Sequence, residues 1–103
     1  MKIFIVDDEE FILNFSVRIL KDLGCDKVIT AENGKFAIER LINTREPVDI
    51  IICDLKMPEM DGFEFMQYLA SNHYTCGLIF LSGKGDYMQK PHMILPGRKT
   101  LIF

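Results

Sequence analysis

The feature that most constrains this chain of 103 residues is an apolar run at residues 48–53 that leads directly into Asp54. Asp49 is the only polar break in the run, and such a continuous pattern is typical of a strand covered on both faces. A loop that contains Pro58 follows and closes at Asp61. Asp54 is therefore predicted to lie where a buried strand ends, which is the edge of an open parallel sheet where ligands bind.

Apolar runs also predict three further strands, at residues 2–6, 27–30 and 78–81. Helical periodicity separates the four strands, at residues 9–23, 35–43 and 62–71. This β-α-β-α-β-α-β order predicts an α/β fold with a parallel sheet and helices on both faces. After residue 83 the pattern changes, because prolines interrupt any long helix. Only residues 92–95 and 100–103 suggest a further strand.

Each predicted helix carries expectations about its ends and its core face. For the first helix, Asp8 is the predicted N-cap and Gly24 the predicted stop. Its predicted core face comprises Ile12, Phe15, Ile19, Leu20 and Leu23. For the second helix, the residues expected inside are Phe36, Ala37, Leu41 and Ile42. For the third helix they are Phe63, Met66, Leu69 and Ala70, with Asp61 and Glu64 as a capping box.

Composition excludes several classes of protein. A chain of this length predicts one domain, and a net charge of −3 without a basic stripe argues against a nucleic-acid partner. The first apolar run is too short for a signal peptide. Residues 65–83 contain no charged side chain, but polar residues interrupt them, so we expect a helix and a strand there and no membrane span. Cys25, Cys53 and Cys76 lack a CxxC spacing, and Cys53 and Cys76 lie in apolar runs. This indicates buried free thiols at Cys53 and Cys76 and fits a reducing cytoplasm.

A second acidic pair, Asp7 and Asp8, directly follows the first strand. If the first and third strands are neighbours, these carboxylates converge on Asp54. Two carboxylates about 4 Å apart repel by roughly 4 kcal/mol at an effective dielectric constant of 20, so the cluster either takes up protons or holds a cation. Mg²⁺ prefers such oxygen ligands, and Asp54 is then a candidate acceptor that forms an acyl phosphate. The plain alternative is that these residues are helix caps and solvated turn residues.

Three blocks of sequence, residues 6–9, 54–62 and 81–83, resemble the receiver domains of response regulators in two-component signalling, in both order and spacing. The resemblance implies a flavodoxin-like, CheY-like doubly wound sheet with strand order 2-1-3-4-5. It also implies that Asp54 accepts a phosphoryl group from a histidine kinase or a phosphotransfer protein. The implied Mg²⁺ ligands are Asp7, Asp8, Asp54 and the backbone carbonyl of Lys56. Ser82, at the end of the fourth strand, is implied as the switch hydroxyl.

The C-terminal segment departs from the family pattern. The family has a lysine followed by proline at the end of a fifth strand, and neither Lys90 nor Lys99 fits both the spacing and the following residue. We therefore expect residues 1–83 to be family-like, the fifth strand to be atypical and the last helix to be missing. Truncation or a change of reading frame would produce such a segment. Residues 84–103 then supply a substitute strand or pack across a homodimer.

Two other functions remain open from the sequence. One is a receiver-like module for protein interaction or dimerisation that is never phosphorylated. The other is an aspartate-based phosphatase or hydrolase, which is weaker because Lys56 occupies the position of a second acid–base aspartate. On the preferred interpretation the chain is a phosphoacceptor and not an enzyme that turns over a foreign substrate.

Overall fold

The computed structural model describes residues 1–44, 47–54, 62–72, 74–81 and 100–102. The elements along the chain are β1 (Lys2–Val6), α1 (Glu10–Asp22), β2 (Lys27–Ala31), α2 (Gly34–Asn43), β3 (Ile50–Asp54), α3 (Gly62–Ser71), β4 (Gly77–Leu81) and β5 (Thr100–Ile102). The predicted alternation of strands and helices is confirmed. Within the described ranges, no helix is both long enough and apolar enough to span a bilayer.

The five strands form one parallel sheet in the order β2-β1-β3-β4-β5. This is the strand order that the family resemblance implies. The fifth strand comes from the second of the two candidate segments, and it pairs with β4 through Phe80 and Ile102. The first candidate, residues 92–95, lies outside the described residues.

The core has two layers because the side chains of β1 alternate between the faces of the sheet. Phe4 and Val6 belong to the larger cluster, which also contains buried residues of β3, β4, α2 and α3. Ile3 and Ile5 belong to a smaller cluster on the opposite face, where they pack with Leu13 of α1. Helices therefore cover both faces of the sheet, which confirms the predicted doubly wound architecture.

The core face predicted for α1 is wrong for most of its residues. Leu13 is buried, and Val17 and Leu20 pack against its cluster. Phe15, Ile19 and Leu23 are instead 56%, 42% and 75% exposed. The helix carries apolar residues around most of its circumference, so its sequence offers two competing faces. The sheet selects the face that contains Leu13, and Ile12 lies half-buried at its side.

The other two helices match the predictions more closely. In α2, Ala37 and Leu41 are buried as expected, whereas Phe36 and Ile42 are 43% and 66% exposed. Ala37 and Leu41 lie one turn apart on one face of the helix, and the two exposed residues flank that face. In α3, Met66 and Leu69 are buried as predicted, and Phe65 joins them. The side chain of Phe63 and the cap residue Asp61 lie outside the described residues.

Local hydrogen bonds fix the helix ends. The stop at Gly24 is confirmed: its φ is 97°, its N–H donates to the Lys21 carbonyl, and the Cys25 N–H donates to the Leu20 carbonyl. These two bonds form a Schellman motif, in which glycine tolerates the left-handed conformation. At the start of α2, the side chain of Asn33 accepts a hydrogen bond from the Phe36 N–H at 2.9 Å.

Candidate metal centre

Three carboxylates meet at the carboxyl edge of the sheet. Val6 pairs with Cys53, so Asp7 and Asp54 leave neighbouring strands at the same level. One carboxylate oxygen each from Asp7, Asp8 and Asp54 lies within 4.8 Å of the other two. Asp7 is buried, Asp54 is half-buried and Asp8 is exposed. The site is thus buried where Asp7 lies and open to solvent where Asp8 lies.

Backbone groups hold Asp7 in place. Its N–H donates to the carbonyl of Ala31 at 3.1 Å, and its Oδ1 accepts from the N–H of Glu9 at 2.9 Å. A carboxylate that binds the N–H two residues ahead forms an Asx turn. The predicted N-cap role of Asp8 is therefore wrong: Glu9 is the N-cap of α1 and makes no side-chain cap bond. Asp8 is left with its side chain exposed beside Asp7.

Burial and charge both act on Asp7. Burial raises the pKa of the Asp7 carboxyl, and the negative charges of Asp54, Asp8 and Glu9 raise it further. The hydrogen bond from the Glu9 N–H lowers the pKa but does not cancel these effects. Holding these negative charges close together therefore costs free energy. A cation bound at this edge of the sheet would offset that cost.

The donor set fits Mg²⁺. All three side chains offer carboxylate oxygens, the ligands that this hard cation prefers. Oxygens on opposite sides of a Mg²⁺ ion are about 4.2 Å apart, because each metal–oxygen bond is about 2.1 Å long. The observed spacing of up to 4.8 Å reaches that distance with small side-chain rotations. The open side next to Asp8 leaves room for the waters that Mg²⁺ retains.

The structure brings together three of the predicted site residues. Asp7, Asp8 and Asp54 form the cluster, whereas Lys56 and Ser82 lie outside the described residues, as do Lys90 and Lys99. Leu81, the residue before Ser82, pairs with Asp54 in the register of β3 and β4. Sequence reasoning missed the backbone groups of Ala31 and Glu9 that orient Asp7. An aspartate side chain can accept a hydrogen bond from the backbone N–H two residues ahead, so the position of Asp7 relative to Glu9 was the sequence signal for the Glu9 contact.

Asp49, the polar break in the third apolar run, has a separate structural role. Its Oδ2 accepts from the Lys2 backbone N–H at 2.7 Å. Its own N–H donates to the Lys2 carbonyl, and its carbonyl accepts from the Gly77 N–H, each at 2.9 Å. Asp49 thus joins β1, β3 and β4 at the edge of the sheet opposite to the acidic cluster.

The chain is similar in sequence to known signalling proteins. The profile of the family described as "Response regulator receiver domain" matches residues 3–102. The chemotaxis protein CheY of Listeria monocytogenes is 31% identical over 102 residues, which cover 99% of this chain and 84% of that protein. The alkaline phosphatase synthesis transcriptional regulatory protein PhoP of Bacillus subtilis is 34% identical over 89 residues, covering 86% of this chain and 36% of that protein.

Solved structures show the same fold. The response regulator TrrA from Thermotoga maritima, crystallised in complex with Mg²⁺-BeF, matches with a TM-score of 0.81 and 25% identity, covering all of this chain and 87% of that chain. The chemotaxis protein CheY4 of Vibrio cholerae matches with a TM-score of 0.78 and 27% identity, covering 98% of this chain and 84% of that chain.

Proposed function

Because the chain belongs to the response regulator receiver domain family of two-component signalling, we propose that Asp54 accepts a phosphoryl group from a histidine kinase or a phosphotransfer protein. The observation that carries this proposal is the convergence of Asp54 with Asp7 and Asp8 at the carboxyl edge of the sheet. On this proposal residues 1–103 form a single cytoplasmic receiver domain, and its partners are proteins and not nucleic acid.

The chemistry follows from the position of Asp54. A carboxylate oxygen of Asp54 attacks the phosphorus of the donor's phosphohistidine, so that a P–O bond forms as the P–N bond breaks and the electron pair stays on the leaving imidazole, which takes up a proton. The product is an acyl phosphate on Asp54. The reaction changes the protein itself, so the chain is a phosphoacceptor and not a turnover enzyme. Asp54 is half-buried, which leaves it open to a donor side chain.

The remaining residues of the site bind and orient. Asp7 and Asp8 hold Mg²⁺ together with Asp54 and the backbone carbonyl of Lys56, and Ser82 donates its hydroxyl to the phosphoryl group as the switch contact. When bound, the ion offsets the charge that develops on the phosphoryl oxygens. The Mg²⁺-BeF bound by the Thermotoga maritima relative supports this assignment. The Glu9 N–H donates to Oδ1 of Asp7 and so keeps the Asp7 carboxylate in one orientation.

The experiment that tests the proposal is uptake of a small acyl-phosphate donor, measured as intact mass with and without Mg²⁺. We expect one phosphoryl adduct on the wild-type chain, which disappears in Asp54→Ala and on chelation of Mg²⁺. Asp26→Ala is the matched control, because Asp26 is an exposed aspartate that precedes β2 and so lies away from the carboxyl edge of the sheet. This variant should retain the adduct. A folded wild-type chain that binds Mg²⁺ but forms no adduct would contradict the proposal and leave an interaction module that is not phosphorylated.

A further inference from the structure

A groove runs along the outer edge of β2. Among the strands that the structure describes, β2 pairs only with β1, and β5 forms the opposite edge of the sheet. Residues of β2, of the first half of α1 and of α2 line the groove, whose volume is about 830 Å³. It is called the β2 groove below. Its volume lies in the range of clefts that bind ligands, so it has room for the side chains of a short added segment.

The backbone of β2 directs hydrogen-bonding groups toward this groove. The Ala31 carbonyl accepts from the Asp7 N–H at 3.1 Å, so the backbone groups of Ala31 face β1. In a strand, the N–H and C=O groups of successive residues point alternately to the two sides. Those of Val28 and Thr30 therefore point away from β1. The edge offers two donors and two acceptors to a strand that lies beside it.

The walls of the β2 groove are acidic. Its charged lining residues are Glu10 of α1, Glu32 after β2, and Glu39 and Arg40 of α2, and all four are exposed. Three carboxylates against one guanidinium give a net charge of −2. A second copy paired at the same edge would bring like charges together, which disfavours self-association. The complementary occupant is a positively charged segment.

Two residues of α2 form a subsite for a single basic side chain. Phe36 and Glu39 both line the groove, and they lie three residues apart, so they are neighbours on the helix surface. The Phe36 side chain is 43% exposed. A lysine or arginine side chain that lies against its ring gains a cation–π contact, and its charged end is then close to the Glu39 carboxylate. The groove therefore favours a strand that combines basic and apolar residues.

We propose that the β2 groove binds an extended basic segment of a partner protein, which adds to the sheet as a further parallel or antiparallel strand beside β2. The outward backbone groups of Val28 and Thr30 provide the pairing, as in other cases of recognition by strand addition. The carboxylates of the groove select for positive charge. This interaction does not require phosphorylation of Asp54.

Binding of a fluorescent hexapeptide that alternates lysine and valine, measured by anisotropy on the full-length chain, tests the charge preference. We expect saturable binding that weakens as NaCl is added, and no binding of the matching glutamate–valine peptide. Glu39→Lys should raise the dissociation constant about fivefold or more, because it replaces an attraction by a repulsion. Asp22→Lys is the matched control: it makes the same change of charge at an exposed residue of α1 outside the groove, and it should have little effect.

Two measurements test the pairing with β2. Thr30→Pro removes one outward N–H and leaves the groups that face β1 in place, as edge strands tolerate; we expect about a tenfold loss of affinity, with circular dichroism to verify folding. In the wild type, amide hydrogen exchange at Val28 and Thr30 should slow when the peptide binds.

Three results would each overturn the proposal. They are the absence of peptide binding to the wild-type chain, equal weakening by Asp22→Lys and Glu39→Lys, and unchanged exchange at Val28 and Thr30 in the saturated complex. None of them bears on phosphoryl uptake by Asp54 from a small donor, so the two proposals fail independently.

Discussion

Burial, a backbone hydrogen bond and neighbouring negative charges all act on one carboxylate of the site, that of Asp7. It is buried, it accepts a hydrogen bond from the Glu9 N–H, and it faces two further carboxylates. Burial and these charges raise the pKa of Asp7, so the folded state holds a proton more tightly than the unfolded state does. Without a cation, the stability of the fold therefore decreases as the pH rises from the ordinary aspartate pKa through the raised pKa of Asp7.

Replacing Asp7 by asparagine separates this charge from the hydrogen bond. Asp7→Asn retains an oxygen that accepts from the Glu9 N–H but removes one negative charge. We expect the metal-free variant to be more stable than wild type at neutral pH, by roughly 1 kcal/mol or more. The advantage should vanish below the ordinary aspartate pKa of 3.8, where Asp7 is protonated in both states.

Urea unfolding of both proteins across this pH range measures the difference. Mg²⁺ affinity provides the second readout, and it should fall sharply in Asp7→Asn. Asp22→Asn is a suitable control because Asp22 is exposed at the end of α1. A variant less stable than wild type at neutral pH would show that the Asp7 charge is already compensated within the protein.

The elements show which sequence signals determine structure and which do not. The strands were predictable because short apolar runs with polar ends have few alternatives in an α/β chain. The acidic cluster was predictable for the same reason. Asp7 directly follows the first strand, and Asp54 is the last residue of the third. The core face of α1 was not predictable, because Phe15 and Ile19 are as apolar as Leu13 and only the packed sheet distinguishes them. Likewise, α1 begins at Glu10, one residue later than predicted. The carboxylate that accepts a backbone hydrogen bond before this helix is therefore that of Asp7 and not that of Asp8.

The cap at Asn33 gives a prediction for a single element. Its Oδ1 satisfies the N–H of Phe36, one of the donors that the first turn of α2 leaves without a helical partner. Asn33 is buried, so water does not easily replace that bond. We expect Asn33→Ala to lower the free energy of unfolding by about 1 to 2 kcal/mol. Asn33→Asp, which restores a capping oxygen, should recover most of the loss when both are measured by chemical denaturation.

At the scale of the whole molecule, the cluster should link metal binding to stability. The three carboxylates come together only in the folded sheet, so on the proposed function we expect Mg²⁺ to bind the native chain and not the unfolded one. At a Mg²⁺ concentration of 100 times the dissociation constant, the expected stabilisation is about 2.7 kcal/mol. For a chain of this size that corresponds to a rise in Tm of roughly 10 °C or more.

Differential scanning calorimetry with and without MgCl₂ measures this rise, with NaCl at equal ionic strength as the control. Asp8→Ala should abolish most of it, because Asp8 contributes one of the three converging oxygens. Equal effects of the two salts would show that screening of surface charge, and not binding, accounts for any stabilisation.

The place of β1 within the sheet has a consequence for how the protein is made. β1 is synthesised before the other strands of this sheet, yet it lies between β2 and β3, which are synthesised later. Asp7 and Asp8 therefore emerge long before Asp54, and a nascent chain released before residue 54 has no complete cation site. Because the β1–β3 pairing closes a long loop of chain, it is a slow, non-local step. Mg²⁺ binding during translation would thus report the moment at which the central strands of the sheet have joined.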